Sequence, residues 1–175
     1  DHTASQLVYT ITSATSNGTL RRSGLALGVN STFTQADLDS GIVTYDHNGS
    51  ETSSDSLSFS VDDGAGSAST GTFNITITPV NDNNTLITSD GGGATASISI
   101  AENSTVVTTI MATDSDLPTQ TITYSITGGL DAALFTIDAN TGALVFTSGR
   151  NRELHTDSDA NGVYAVAVQA SDGTF

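Results

Sequence analysis

Short runs in which apolar and polar residues alternate recur along the 175-residue chain. Alternation of this kind has the period of a β-strand with one buried face. It predicts strands at residues 7–12, 42–46, 57–61, 72–78, 98–101, 106–112, 122–127, 134–137, 143–146 and 164–170. Asn-Gly, Asp-Gly and Gly-Gly pairs separate most of these runs, and such pairs favour the tight turns that join antiparallel strands. The pattern therefore predicts an all-β protein of antiparallel β-sandwich type.

One segment departs from this pattern. Residues 34–38 can form a single helical turn, in which Thr34 is the N-cap and Asp37 stands at the capping-box position. We interpret this turn as part of a loop.

The two halves of the chain resemble each other at a spacing of about 110 residues. The segment YTIT at 9–12 resembles YSIT at 124–127, and SVDDG at 60–64 resembles QASDG at 169–173. We therefore predict two modules, at residues 1–80 and 86–175, joined by an Asn/Asp linker at 81–85. The same alignment predicts that the first module lacks its opening strands and that the second lacks its last strand.

The charge of the chain excludes two classes of partner. The formal net charge is −15 and the sequence contains no lysine, so nucleic acid and anionic membranes would repel it. The absence of cysteine excludes a disulfide framework and a thiolate metal site. No apolar run is long enough to predict membrane insertion.

The acidic residues are concentrated in turns, and nearly all of them are aspartates. The repeat alignment places Asp114 and Asp116 in one turn of the second module and Asp172 in another, both at the end that faces the linker. Together with Asp82, these carboxylates would repel each other strongly without a cation. Carboxylate, amide and carbonyl oxygens are the ligands that Ca²⁺ prefers, so we predict Ca²⁺ as the cofactor.

Several motifs then occur in the order of a known family. They are Ala101-Glu102-Asn103, Asp114-Ser115-Asp116, FTID at 135–138 followed by Thr141-Gly142, Glu153, and QASD at 169–172. With the preceding Asn81-Asp82-Asn83, they resemble a cadherin repeat in its bacterial form over about residues 79 to 175. The resemblance implies a Ca²⁺ site at the module junction, lined by Asn81, Asp82, Asn83, Asp114, Asp116 and Asp172. It also implies that Glu102 and Glu153 face the far end, toward a further repeat.

Residues 1–80 resemble a neighbouring family of cadherin-like modules, the repeat named for the chondroitin sulfate proteoglycan. The resemblance depends on NGTL at 17–20, FTQADLDSG at 33–41 and YDHNGSE at 45–51. It implies a Greek-key β-sandwich of bacterial surface or secreted proteins. We expect Asp46 or Glu51 to add a ligand to the junction site from this module.

Four positions depart from the cadherin pattern. Pro79 stands where the family has an Asp before the linker, Thr85 displaces its Pro, Asn151 replaces an Asp, and Thr119 lies near a usual Asn. These departures predict fewer ions or weaker binding.

The sequence gives weaker support for a further metal site and for a catalytic site. The loop Asp157-Ser158-Asp159-Ala160-Asn161-Gly162 resembles part of a Ca²⁺-binding loop but lacks the distal Glu of an EF-hand. We interpret it as a solvated loop and leave a separate site open. The three histidines stand apart, no Gly-x-Ser-x-Gly elbow is present, and no Trp could form a sugar platform. We therefore predict no enzymatic activity.

These observations predict a calcium-rigidified structural or adhesive segment of a large bacterial adhesin, secreted or at the cell surface. Such a segment would mediate cell-cell, cell-surface or biofilm-matrix adhesion, with neighbouring repeats of the same protein as its first partners. Two alternatives stay open. One is a polysaccharide or glycan-binding module with structural calcium, and the other is homophilic adhesion with identical modules through strand exchange.

Overall fold

The computed structural model describes residues 6–174. It contains β-strands, one short helix and two 3₁₀ turns, and the strands pair in antiparallel fashion. The predicted fold class of two tandem antiparallel β-sandwich modules is confirmed. The chain divides into two compact units between Pro79 and Val80, and each is described by itself below. Within the described range, no helix has the length and apolar character needed to span a bilayer.

The first unit is built from two sheets. One has the strand order β4-β1-β6-β7 and the other the order β3-β2-β5. The elements are β1 (Val8–Ser13), β2 (Gly18–Arg22), β3 (Leu25–Leu27), β4 (Thr32–Thr34), α1 (Gln35–Asp39), β5 (Val43–His47), β6 (Ser54–Asp62) and β7 (Ser69–Thr76).

The core of the first unit lies between these sheets. Ile11, 1% exposed, packs there with Leu20, Phe33 and Leu57. Tyr9 stacks on Phe33 with the ring centroids 5.2 Å apart. Full burial of each large apolar side chain stabilises the fold by about 1.5 to 3 kcal/mol. The alternation in the sequence thus gives each strand one inward face.

The helix α1 begins with the predicted capping box. Thr34 Oγ1 accepts a hydrogen bond from the Asp37 N–H at 3.2 Å, and Asp37 Oδ2 accepts one from the Thr34 N–H at 2.8 Å. Arg22 Nη2 lies 3.0 Å from Asp37 Oδ1. The Thr34 N–H, the Thr34 hydroxyl and Arg22 together lower the pKa of Asp37 despite the opposing effect of burial.

The second unit has three small sheets, with strand orders β12-β13-β9, β11-β14 and β10-β8. The elements are β8 (Leu86–Ile87), β9 (Val106–Thr109), β10 (Ala112–Thr113), β11 (Thr123–Gly128), β12 (Phe135–Ile137), β13 (Ala143–Phe146) and β14 (Ala167–Ser171), with 3₁₀ turns at Ser89–Gly91 and Ala132–Leu134.

An aromatic cluster forms the core of the second unit. Phe135 and Phe146 pack with their ring centroids 4.4 Å apart, and Tyr164 meets Phe146 edge-on at 5.1 Å. Leu144 completes the buried set. The Arg150 guanidinium lies 5.1 Å from the centroid of the Phe146 ring, a favourable cation-π geometry.

Some predicted strands were wrong in detail. Residues 98–101 form no strand, and Ile98 and Ile100 are 41% and 37% exposed, because no neighbouring strand pairs with this alternating run. The predicted strand at 106–112 is broken at Ile110, whose N–H donates to the Gly142 carbonyl at 2.8 Å. The short strands β2, β3, β4 and β8 were not predicted, because they show too little alternation.

Candidate metal centre

Three aspartates of the second unit gather at one end of its sheets. Asp114 and Asp116 follow β10, and Asp172 follows β14. One carboxylate oxygen from each of the three lies within 4.8 Å of the others. The fold therefore brings together three negative charges from two separate turns. We refer to Asp114, Asp116 and Asp172 as the aspartate cluster.

Asp116 is the most deeply placed member of this cluster, at 3% exposed. Its Oδ2 accepts a hydrogen bond from the Asn83 N–H at 3.0 Å, and its Oδ1 accepts one from Asn83 Nδ2 at 2.6 Å. Burial acts to raise the pKa of Asp116, but the hydrogen bonds donated by the Asn83 side chain and by the Asn83 and Asp82 N–H groups outweigh it and lower that pKa. Asp116 is therefore ionised at neutral pH.

Asp114 is held by its own turn and by the linker. Its Oδ1 accepts a hydrogen bond from the Asp116 N–H at 2.9 Å, and its Oδ2 accepts one from Thr85 Oγ1 at 3.2 Å. Sequence reasoning treated Thr85 only as a departure from the family's pattern. The structure instead gives its hydroxyl a contact with the aspartate cluster.

The other linker residues are connected to the same cluster. Asn81 Nδ2 donates to Thr174 Oγ1 at 2.9 Å, and the Thr174 N–H donates to Asp172 Oδ1 at 2.9 Å. Asp82 is exposed, and its Oδ1 lies 3.4 Å from Asn83 Nδ2. The hydrogen bonds thus form two groups, one that joins Asn81 to Asp172 through Thr174 and one that joins Asp82, Asn83, Asp116 and Asp114. The two groups meet where the carboxylates of the aspartate cluster lie within 4.8 Å of one another.

This donor set suits a hard divalent cation. Its charged members offer carboxylate oxygens, which Ca²⁺ prefers. The buried Asn81 Oδ1 accepts no hydrogen bond from the described residues. A buried acceptor without a donor costs free energy, and a cation could recover that cost. The residues present thus fit Ca²⁺.

The predicted far-end residues lie apart from the aspartate cluster. Glu102 and Glu153 are both exposed, and Glu102 Oε2 accepts a hydrogen bond from the Arg152 N–H at 3.4 Å. The Glu153 N–H donates to Asn151 Oδ1 at 2.9 Å. Neither glutamate belongs to a group of three metal-ligating side chains among residues 6–174. Their role at a far-end site stays a prediction.

The two candidates from the first unit differ in their surroundings. Asp46 forms an exposed ion pair with Arg21, in which the Asp46 Oδ2 and Arg21 Nε atoms are 2.6 Å apart. A metal ion would have to compete with that arginine. Glu51 is half-buried in the segment between β5 and β6. The contribution of either residue to a metal site stays a prediction.

Sequence reasoning missed a buried aspartate in the first unit. Asp55 Oδ2 accepts hydrogen bonds from the Asn17 N–H at 2.8 Å and from the Tyr45 hydroxyl at 2.9 Å, and its Oδ1 accepts one from the Ser16 N–H at 3.0 Å. The available signal was its position in β6, where it shares the inward face with Leu57. An aspartate at an apolar position of a strand indicates a buried hydrogen-bonding role.

Comparison with known protein families identifies both halves of the chain. The sequence profile described as cadherin-like matches residues 1–77, and the profile of the cadherin domain matches residues 96–174. No curated protein matches the sequence.

Solved structures share the fold. The protocadherin gammaB4 extracellular domain is 21% identical with a TM-score of 0.58, and 94% of this chain matches 24% of that chain. Human CDH23 EC21-23 is 16% identical with a TM-score of 0.59, and 97% of this chain matches 54% of that chain. Drosophila N-cadherin EC1-4 is 18% identical with a TM-score of 0.53, and 97% of this chain matches 38% of that chain. The chain thus spans about a quarter to a half of these structures.

Proposed function

Because the chain carries two tandem cadherin-type domains, we propose that it is a calcium-rigidified adhesive segment of a larger surface or secreted protein. Domains of this type are adhesion modules without enzymatic activity. The observation that supports the role of calcium most directly is the aspartate cluster, whose carboxylate oxygens lie within 4.8 Å of one another. The linker residues that contact this cluster directly follow the boundary between the two units.

The candidate ligands are Asn81, Asp82, Asn83, Asp114, Asp116 and Asp172. Bound Ca²⁺ would supply the positive charge that offsets the repulsion among their carboxylates. Asn83 already holds the linker against Asp116 through its N–H and its side-chain amide. Because residues 81–83 directly follow the boundary between Pro79 and Val80, fixing their side chains restricts rotation of the backbone that leads into the second unit. Rigidity of the segment is the expected result.

The finer parts of the proposal rest on the sequence motifs. The proteoglycan-type character of the first domain, the bacterial source and the role as an adhesin follow from the motifs at 17–20, 33–41 and 45–51 and from those of the second domain. Cadherin domains are extracellular, so we place the segment outside the cell. Neighbouring repeats or identical modules are the favoured partners, and no observation supports glycans.

Distances between spin labels test the rigidity directly. The chain has no cysteine, so single labels can be attached at Thr44→Cys in β5 and Thr136→Cys in β12, both exposed positions. We expect the distance distribution between the two labels to narrow when chelator is replaced by millimolar Ca²⁺. Pairs of labels within one unit are the control and should not respond. An equally broad distribution in both conditions would contradict the proposal.

Homophilic adhesion is a second candidate function, favoured by the edge strands. β7 lies at the edge of its sheet and exposes 58% of Phe73, and β14 is an edge strand of the second unit. Open edges of this kind can pair with another chain. Light scattering at increasing protein concentration, with and without Ca²⁺, would detect self-association. A monomer under every condition would dispose of this candidate.

A further inference from the structure

The loop between β13 and β14 holds a buried carboxylate of which only one oxygen accepts hydrogen bonds from the described residues. Asp157 is 6% exposed, and its Oδ2 accepts hydrogen bonds from the Asn161 N–H at 2.7 Å and the Gly162 N–H at 3.1 Å. Its Oδ1 is also buried but accepts no hydrogen bond from the described residues. A charged oxygen buried without a partner is costly, and a bound cation would offset that cost.

A second carboxylate lies beside it. Asn161 connects the two carboxylates, because its N–H donates to Asp157 Oδ2 at 2.7 Å and its Nδ2 donates to Asp159 Oδ2 at 2.7 Å. The ion pairs found among residues 6–174 are Arg21–Asp46 and Arg22–Asp37, so neither loop aspartate is neutralised by an arginine. Two carboxylates this close repel each other when both are ionised. A cation between them would remove that repulsion.

The loop is already fixed at its base. The carboxylate of Asp131, itself buried, accepts hydrogen bonds from the Ser158 N–H at 2.7 Å and the Ala165 N–H at 2.8 Å. Ser158 Oγ donates to the Leu130 carbonyl at 2.8 Å. These bonds hold the chain on both sides of residues 159–164. A ligand therefore would not have to order the whole loop, which lowers the entropic cost of binding.

We propose that the loop 157–162 is a second cation site, which binds Ca²⁺ through Asp157 Oδ1 and the Asp159 carboxylate. Backbone carbonyls and water complete the coordination, as is common for Ca²⁺. Oxygen ligands select a hard cation over zinc or copper. With only two carboxylates, the site belongs among the weak ones, in the range of about 10⁻⁴ to 10⁻³ M that is typical of extracellular modules. It is separate from the aspartate cluster and does not depend on the function proposed above.

A Ca²⁺ titration followed by two-dimensional ¹H-¹⁵N NMR tests this site residue by residue. The experiment uses the 175-residue chain and four proteins: wild type, Asp159→Asn, Asp116→Asn and the charge control Asp90→Asn. The Gly162 amide reports on the loop, and the Asn83 amide reports on the aspartate cluster. We expect the Gly162 resonance to shift saturably with millimolar Ca²⁺ in the wild type and in Asp116→Asn.

The Asp159→Asn variant tests directly whether the Asp159 carboxylate binds Ca²⁺. Asp159 is exposed, and asparagine keeps an oxygen that can accept from Asn161 Nδ2, so the loop should stay folded. We expect the Kd reported by Gly162 to rise by at least about tenfold, while the Asn83 response stays unchanged. Asp90→Asn should leave the Gly162 response as in the wild type.

Two results would contradict the proposal that the loop 157–162 binds Ca²⁺. A Gly162 resonance that does not move with Ca²⁺ would mean that water satisfies Asp157 Oδ1. An equal loss of response in Asp90→Asn and Asp159→Asn would mean that only the general negative charge attracts Ca²⁺. Since Gly162 and Asn83 are read in the same spectra, failure of the loop site can be told apart from failure of the aspartate cluster.

Discussion

Asp55 of the first unit and Asp116 of the second are both buried aspartates with lowered pKa values. In each case burial acts to raise the pKa, and hydrogen bonds from neighbouring donors outweigh it. Their surroundings differ. Asp55 accepts from the Ser16 and Asn17 N–H groups and from the Tyr45 hydroxyl, whereas Asp116 shares its site with two further carboxylates.

The difference distinguishes a structural carboxylate, Asp55, from a candidate metal ligand, Asp116. We refer to Asp55 with the donors that it holds together, Ser16, Asn17 and Tyr45, as the clamp. Around Asp55, protein donors satisfy both carboxylate oxygens, so no further charge is needed. The aspartate cluster instead gathers three carboxylates, and the nearby Asn81 Oδ1 has no donor among the described residues. Burial and a lowered pKa alone therefore do not identify a metal ligand. A metal ligand is indicated where carboxylates gather without enough protein donors to form hydrogen bonds with them.

The largest expected effect on stability follows from removing the Asp55 carboxylate. Asp55→Ala leaves the backbone N–H groups of Ser16, Asn17 and Ser56 and the Tyr45 hydroxyl without their acceptor. Each buried donor left unsatisfied costs about 1 to 3 kcal/mol, so we expect the free energy of unfolding to fall by about 3 kcal/mol or more. The loss should be the same with Ca²⁺ and with chelator, as measured by denaturant unfolding.

A matched exposed aspartate provides the control for this variant. Asp39 ends the helix α1 and accepts only an exposed hydrogen bond from Gln35 among the contacts described. Asp39→Ala should change the stability by less than about 0.5 kcal/mol. If Ca²⁺ rescued Asp55→Ala, Asp55 would have to be regarded as part of a metal site, and the comparison with Asp116 would fail.

The next effect concerns the aspartate cluster. At 100 times Kd, a bound ion adds about 2.7 kcal/mol of apparent stability, which corresponds to a rise in Tm on the order of 10 °C. We expect Asp116→Asn to lose most of this rise, because asparagine is neutral and a weaker ligand. In chelator its Tm should fall less, because the loss of one hydrogen bond from Asn83 is offset in part by weaker repulsion within the aspartate cluster. Scanning calorimetry of both proteins in both conditions measures this.

The opposite pattern would remove the distinction between the two aspartates. If Asp116→Asn lowered the Tm equally with Ca²⁺ and with chelator, Asp116 would be a clamp like Asp55. The calcium proposal would then lose its central residue.

The sequence predicted most of the longer strands, because a strand with one buried face leaves a period of two. β13 matches its predicted bounds, and the alternation in β6 was found, although the strand is longer than predicted. The run at 98–101 shows the limit of this signal. Alternation describes a strand that could pair, whereas a strand also needs a partner, and that depends on the rest of the fold.

The sequence predicted which turns form the candidate site, but it did not predict the contacts between their side chains. Repeat alignment placed Asp114, Asp116 and Asp172 at one end of the second module, and their carboxylates lie within 4.8 Å of one another. Their role as calcium ligands stays a prediction. The contact of Thr85 with Asp114 and the unsatisfied Oδ1 of Asp157 depend on side-chain positions, which the spacing of residues does not encode.

The smallest expected effect tests the clamp through pH. Burial and the neighbouring Asp55 carboxylate raise the pKa of Tyr45 to about 12, from 10.0 in the unfolded chain. A raised pKa means that the folded state favours the neutral phenol, so its contribution is complete below pH 10.0 and is lost as the pH rises toward about 12. Tyr45→Phe removes this hydrogen bond and should cost about 0.5 to 1.5 kcal/mol at neutral pH. Above pH 10.0 the stabilities of wild type and variant should converge, as followed by urea unfolding. Parallel curves across this range would show that Tyr45 does not donate to Asp55, and the description of Asp55 as a fully satisfied clamp would then be wrong.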